Sequence, residues 1–190
     1  MSDDSVHKAP HSTLSTLGEY LYQRALVRRA DEPITDPRGQ PISWMLDTRV
    51  PLLEAETFQR VGRLLAERLR RRNVFQVAGM GFGAFPLVGA VLGVPGKPSF
   101  RGGLIREHRK LYGRRRWVEG ALIREEPVVV LDDILNSGKS ALRAVEALLD
   151  DGYQPVGVMT LFHFTWNQGE VLLEQKGLWF DSLLSLNLQQ

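Results

Sequence analysis

Cysteine is missing from the 190-residue chain, which excludes a disulfide framework, a thiol nucleophile and any cysteine-ligated zinc or iron–sulfur centre. Histidine is scarce: His7, His11, His108 and His163 are scattered without metal-ligand spacing, so any metal must be bound by oxygen. No apolar run approaches the roughly 18 residues that a membrane helix needs. Neither charge sign dominates: 24 Lys and Arg stand against 22 Asp and Glu, and a net charge of +2 does not mark a nucleic-acid binder. The first 15 residues are polar, include Asp3 and Asp4, and lack an apolar signal core, so a cytoplasmic chain with no membrane partner is expected. What remains is an ordinary globular composition, 43% hydrophobic and 24% charged, in a length that suits one core.

Residues 1–13 carry too few large apolar side chains to offset the entropy of ordering and are expected to form a disordered tail. Helical spacing of Leu14, Leu17 and Leu21 predicts a helix over 14–27, after which Pro33, Pro37 and Gly39 break the pattern. Between 57 and 72, Phe58, Val61, Leu64, Leu65 and Leu69 form a stripe of period 3.6 that ends in Arg70, Arg71 and Arg72, cations suited to a helix C-terminus. A short strand over 74–78 then meets a glycine-rich turn over 79–83 and an apolar helix over 84–92. The same strand–turn–helix order recurs with a buried strand over 127–131 and a helix over 140–149, followed by a third apolar strand over 156–162. Such alternation predicts an α/β fold with a mostly parallel central sheet.

The run VVVLDDILNSGKS over 128–140 is the most informative. An apolar strand reaches two acids, and a small polar loop then opens a helix. Unpaired N–H groups at the helix start, with the hydroxyls of Ser137 and Ser140, can surround a phosphate, and Gly138 permits close approach. The nucleoside-triphosphate loop G-x-x-x-x-G-K-[ST] is excluded, because its first glycine falls on Asp133, whose carboxylate would repel a polyphosphate. Paired acids suit ribose hydroxyls or a ribose-bound magnesium. An ordinary helix start capped by acidic and Ser/Asn side chains fits the same residues, so both readings stand at this point.

This strand, acid pair and loop resemble the hallmark of the type I phosphoribosyltransferases, with Asn136 and Ser137 in place of the usual threonines. Further segments are similar to the orotate phosphoribosyltransferase branch: WMLDTR over 44–49, GMGFGAFPL over 79–87, the basic stretch from Arg106 to Gly120, and GEVLLEQKGL over 169–178. The resemblance implies a phosphoribosyltransferase fold over 14–190, with a small hood drawn from 14–50 and part of 163–190. It implies Mg²⁺-dependent transfer of the phosphoribosyl group of phosphoribosyl pyrophosphate to a nitrogenous base. Asp132 and Asp133 would hold the ribose hydroxyls and, through ribose or water, the metal; Asn136, Ser137, Gly138, Lys139 and Ser140 would wrap the 5′-phosphate. Gly81, Phe82 and Gly83 would face the pyrophosphate. In the basic stretch, Arg106 and Lys110 match cationic positions of the family loop and would act in catalysis, with Tyr112 and Arg114 as further contacts, while Glu107 replaces a lysine. Thr165 falls where an arginine for the orotate carboxylate is expected, which leaves the acceptor open between orotate and another base. A homodimer is implied and a nucleic-acid partner is not. The alternative is a regulatory protein that binds phosphoribosyl pyrophosphate or a nucleotide without turnover and uses Arg114, Arg115 and Arg116 on nucleic acid; a solvated surface charge run is the plain reading of the same arginines.

Overall fold

The computed structural model describes residues 11–36, 38–109 and 116–187. The chain divides into two compact units, 1–51 and 52–190.

In the first unit, helix α1 (His11–Ala25) begins inside the expected tail and runs into strand β1 (Leu26–Arg28), which pairs antiparallel with β2 (Trp44–Leu46). The intervening segment is turned by Asp36, whose Oδ1 accepts the N–H groups of Arg38 at 2.9 Å and Gln40 at 2.8 Å. Just after β2, Arg49 grips Asp47 with two bonds of 2.7 and 2.8 Å, and this guanidinium holds the Asp47 carboxyl below its usual range. The Asp-x-Arg pattern therefore closes a local fork. A single turn, α2 (Arg49–Leu52), leads onward in the chain.

The second unit starts with α3 (Ala55–Arg71), whose stripe is realised: Val61, Leu65 and Leu69 are fully buried, each contributing roughly 1.5–3 kcal/mol. Strand β3 (Gln76–Met80), helix α4 (Gly81–Leu92), β4 (Arg101–Ile105) and β5 (Val118–Gly120) follow. Then come β6 (Pro127–Leu135), α5 (Lys139–Asp150), β7 (Gln154–Phe164), α6 (Gly169–Glu174) and β8 (Trp179–Leu186). The sheet order is β5-β4-β3-β6-β7-β8, parallel except for β5, which runs antiparallel to β4. The expected mostly parallel α/β sheet is thus present. The end of the chain supplies β8 and completes this sheet beside β7.

From β3 the chain crosses outward to β4, and from β6 it crosses outward the other way to β7. The β3–β6 boundary is therefore the switch point of the sheet, the place where open α/β sheets leave a crevice at their carboxyl ends. Strand alternation serves both faces. Val128 and Val130 join the cluster with Ala141, Ala144, Val145 and Leu148 of α5, while the equally buried Val129 and Leu131 point the other way.

Helices α3 and α4 touch closely at Gly62, where a Cβ would lie 2.4 Å from the Ala90 carbonyl oxygen. A backbone carbonyl inside a helix cannot step aside. Gly62→Ala is expected to cost about 1–3 kcal/mol of stability by overpacking, read as a lowered melting temperature, with ligand binding intact below the transition.

Candidate active site

Strand β6 continues past the acidic pair, because Ile134 and Leu135 remain registered against Phe162 and His163 of β7. The acids, expected to end the strand, are therefore held on rigid backbone. Period two sends them to opposite sides. Asp132 follows Val130 toward α5, with Ser140 of that helix beside its carboxyl; Asp133 follows Leu131 toward α4. There a Cβ built on Gly83 would lie 2.5 Å from the Asp133 carboxyl carbon, so only a glycine lets the turn lie against that carboxylate. Two segments separated by 50 positions thus meet at the switch point.

Asp132 is 8% exposed and accepts the Asp133 N–H at 3.0 Å. Burial first, and then the neighbouring Asp133 carboxylate, push its carboxyl up to about 8. Hydroxyl donors or a cation would relieve this pressure. Among the described residues no group of three or more His, Asp or Glu could hold a metal ion, so the acids offer at most a partial ligand set.

Beyond β6, Gly138 adopts the left-handed conformation, φ 77°, as the N-cap of α5. Its Cβ position would lie 3.1 Å from the Gly169 carbonyl oxygen, so a side chain would be both strained and crowded there. No side chain caps α5. The reading of this loop as an ordinary capped helix start therefore fails, and the first N–H groups of α5 face the loop without a capping partner. Asn136, Ser137, Lys139 and Ser140 are exposed around it. Helix α4 likewise starts without a side-chain cap, at Gly81 with φ 81°, two residues earlier than the expected end of the turn. Both helices point uncapped N-termini toward the acid pair, an arrangement suited to two anionic groups.

The remaining expected residues separate into four groups. Phe82 is 76% exposed at the start of α4 and packs edge-on against Phe85, with ring centroids 6.3 Å apart. Arg106 leaves β4 with its guanidinium on Glu119 of β5, Nη2 to Oε1 at 3.1 Å. Glu107 follows, its Oε1 3.3 Å from where a Gly81 Cβ would stand. Lys110, Tyr112 and Arg114 lie outside the described residues. Thr165 directs its hydroxyl to the Leu186 carbonyl at 3.1 Å and to Asn187, and so ties β7 to β8.

Sequence reasoning missed Asn167, whose amide donates to Asn136 Oδ1 and fastens the turn after β7 onto the loop before α5. It also missed Glu119 as the partner of Arg106. Neither carries a motif, since each is brought in by strand pairing alone.

No family model matches the chain. Among curated relatives, the orotate phosphoribosyltransferase of Mycobacterium bovis is 31% identical over 155 residues, covering 80% of this chain and 84% of the relative. That of Corynebacterium glutamicum is 28% identical over 187 residues, covering 98% and 97%. Among solved structures, Mycobacterium tuberculosis orotate phosphoribosyltransferase in complex with 5-phospho-α-D-ribosyl 1-diphosphate superposes with a TM-score of 0.75 at 27% identity, covering 91% of this chain and 96% of that one. With the acid pair, the glycine turn and the helix start meeting at one switch point, likeness at this level over most of the length identifies the descent: this chain belongs to the orotate phosphoribosyltransferase family.

Proposed function

We propose that the chain transfers the phosphoribosyl group of phosphoribosyl pyrophosphate to a nitrogenous base and releases pyrophosphate. The observation that carries this reading is the meeting of Gly83 with the Asp133 carboxylate, which puts a backbone turn fit for phosphate against acids fit for ribose hydroxyls. In this reading Asp132 and Asp133 accept the 2′ and 3′ hydroxyls. Backbone N–H groups at the start of α5, with Asn136, Ser137, Lys139 and Ser140, take the 5′-phosphate. The turn of Gly81, Phe82 and Gly83 takes the pyrophosphate through its N–H groups.

Displacement at ribose C1 builds positive charge on the ring and negative charge on the leaving group, and rate comes from groups already aimed at both. The carboxylates sit on a strand and the N–H groups on helix starts, so neither must reorganise. Arg106 is held by an exposed ion pair with Glu119, worth little, and exchanging that partner for pyrophosphate is cheap. Lys110 and Arg114, with Tyr112, are further candidates to offset the departing charge.

The acid pair fits Mg²⁺ bound mainly by substrate oxygens: the donors are hard carboxylates, too few for a closed cage, and Asp132 is under electrostatic pressure that a cation would relieve. Asp132 and Asp133 would hold it, through ribose or water. When bound, Mg²⁺ supplies charge neutralisation at the pyrophosphate. Homodimerisation is carried over from the family resemblance. No helix among the described residues is long and apolar enough to cross a membrane.

Calorimetry with phosphoribosyl pyrophosphate and Mg²⁺, joined to a pyrophosphate-release assay over pyrimidine and purine bases, tests the reading. Saturable binding with turnover on at least one base supports it; binding without turnover leaves a ligand-binding regulator. Lys110→Ala is expected to lower kcat by about 10²-fold while the KM for phosphoribosyl pyrophosphate moves less than about threefold, the pattern of a group used in the transition state. Equal kcat in variant and parent removes Lys110 from the mechanism.

A further inference from the structure

Strands β3 and β7 are the two neighbours of β6, so the 81–83 turn after β3 and the 165–168 turn after β7 stand on opposite flanks of the acid pair. Displacement at C1 brings the incoming nitrogen to the face opposite the departing pyrophosphate. If pyrophosphate lies over the 81–83 turn, the acceptor base enters beside the 165–168 turn.

A cavity of about 500 Å³ opens at that turn, lined by Ser137 of the loop before α5 and by Trp166, Asn167, Gln168, Leu172 and Gln175. None of these side chains is charged. The Trp166 indole lies flat on Phe164, with centroids 4.7 Å apart and planes 16° apart, and remains 39% exposed. One ring face is braced and the other is open. Asn167 ties the turn to Asn136, so the cavity wall is hydrogen-bonded to the loop before α5. With no Arg or Lys in the lining, nothing there offers a carboxylate the paired cation it favours. Amide groups beside a braced aromatic face suit a flat heterocycle held by stacking and neutral hydrogen bonds.

We infer that the acceptor of this chain is an uncharged planar nitrogen heterocycle that stacks on Trp166, in preference to a pyrimidine carboxylate. This inference rests on the phosphoribosyl reading of the acid pair. The test measures pyrophosphate release with uracil, cytosine, adenine, hypoxanthine and orotate, and quenching of tryptophan fluorescence by each base in the presence of phosphoribosyl pyrophosphate. At least one uncharged base is expected to exceed orotate by tenfold or more in kcat/KM, or in affinity where no base turns over. Trp166→Ala should weaken that base about tenfold while the KM or Kd for phosphoribosyl pyrophosphate changes less than about twofold, and Trp166→Phe should restore most of the loss. A preference for orotate, no binding of any uncharged base, or a Trp166→Ala effect absent or shared equally with phosphoribosyl pyrophosphate overturns the inference and leaves the transferase reading standing. Failure to bind phosphoribosyl pyrophosphate at all overturns both.

Discussion

Replacing Asp132 and Asp133 together by Asn is expected to lower kcat/KM for phosphoribosyl pyrophosphate by about 10³-fold or more, since a single positioned transition-state contact is commonly worth about 3–4 kcal/mol. The same substitution should raise, rather than lower, the stability of the ligand-free protein at alkaline pH. Burial and the neighbouring Asp133 carboxylate push the Asp132 carboxyl from its ordinary 3.8 up to about 8 in the folded chain, so folding binds its proton more tightly. A carboxyl raised in this way contributes stability that is complete below its unfolded value and is lost as pH climbs through its folded value. The ligand-free parent should therefore lose stability between about pH 4 and pH 8 through this residue. Asp132→Asn alone should melt higher than the parent at pH 8 by about 3–8 °C, and the advantage should vanish near pH 4. Thermal melts at both pH values, beside calorimetry of phosphoribosyl pyrophosphate, separate the two effects. Undiminished affinity in the double variant would sink the assignment of the acids, and an advantage that persists at pH 4 would show that the proton on Asp132 is not its source.

Gly83→Ala carries the second large effect. The added methyl would lie 2.5 Å from the Asp133 carboxyl carbon and Oδ2, and 2.8 Å from Oδ1. Unlike the carbonyl facing Gly62, this obstacle is the end of a side chain that can rotate away. Stability should change little, because alanine is the better helix former by about 1 kcal/mol and offsets part of the crowding. Activity should fall by about 10²–10³-fold, since the displaced carboxylate is the one that meets ribose and the turn beside it is the one that meets pyrophosphate. A variant that melts like the parent yet turns over normally would show that the contact between Gly83 and Asp133 has no part in the chemistry. Gly62→Ala is its counterpart, with stability lost and chemistry kept.

The elements that carry the site were legible because their apolar periods are strong. The 3.6 stripe from Phe58 to Leu69 and the unbroken run before Asp132 predicted α3 and β6 with end errors of a few residues. The errors lie at element ends, where local residue type hides the continuing element. The 127–131 strand stopped too early because Asp132 and Asp133 break the hydrophobic run, whereas Ile134 and Leu135 continue the ladder with β7. The start of α4 was set too late because glycines read as a turn, although Gly81 opens the helix and Gly83 lies within it.

The order of residues by itself determined the fold class, the acid pair and the helix-start loop that follows it, since each depends on periodicity or on chemistry within a dozen neighbouring positions. Only the tertiary structure decided that Asp132 and Asp133 face different helices, that Gly83 lies against one of them, and that Asn167 anchors the loop ahead of α5. These are contacts between segments far apart in the chain, set by strand order and by backbone approach. Local propensity carries no information about either.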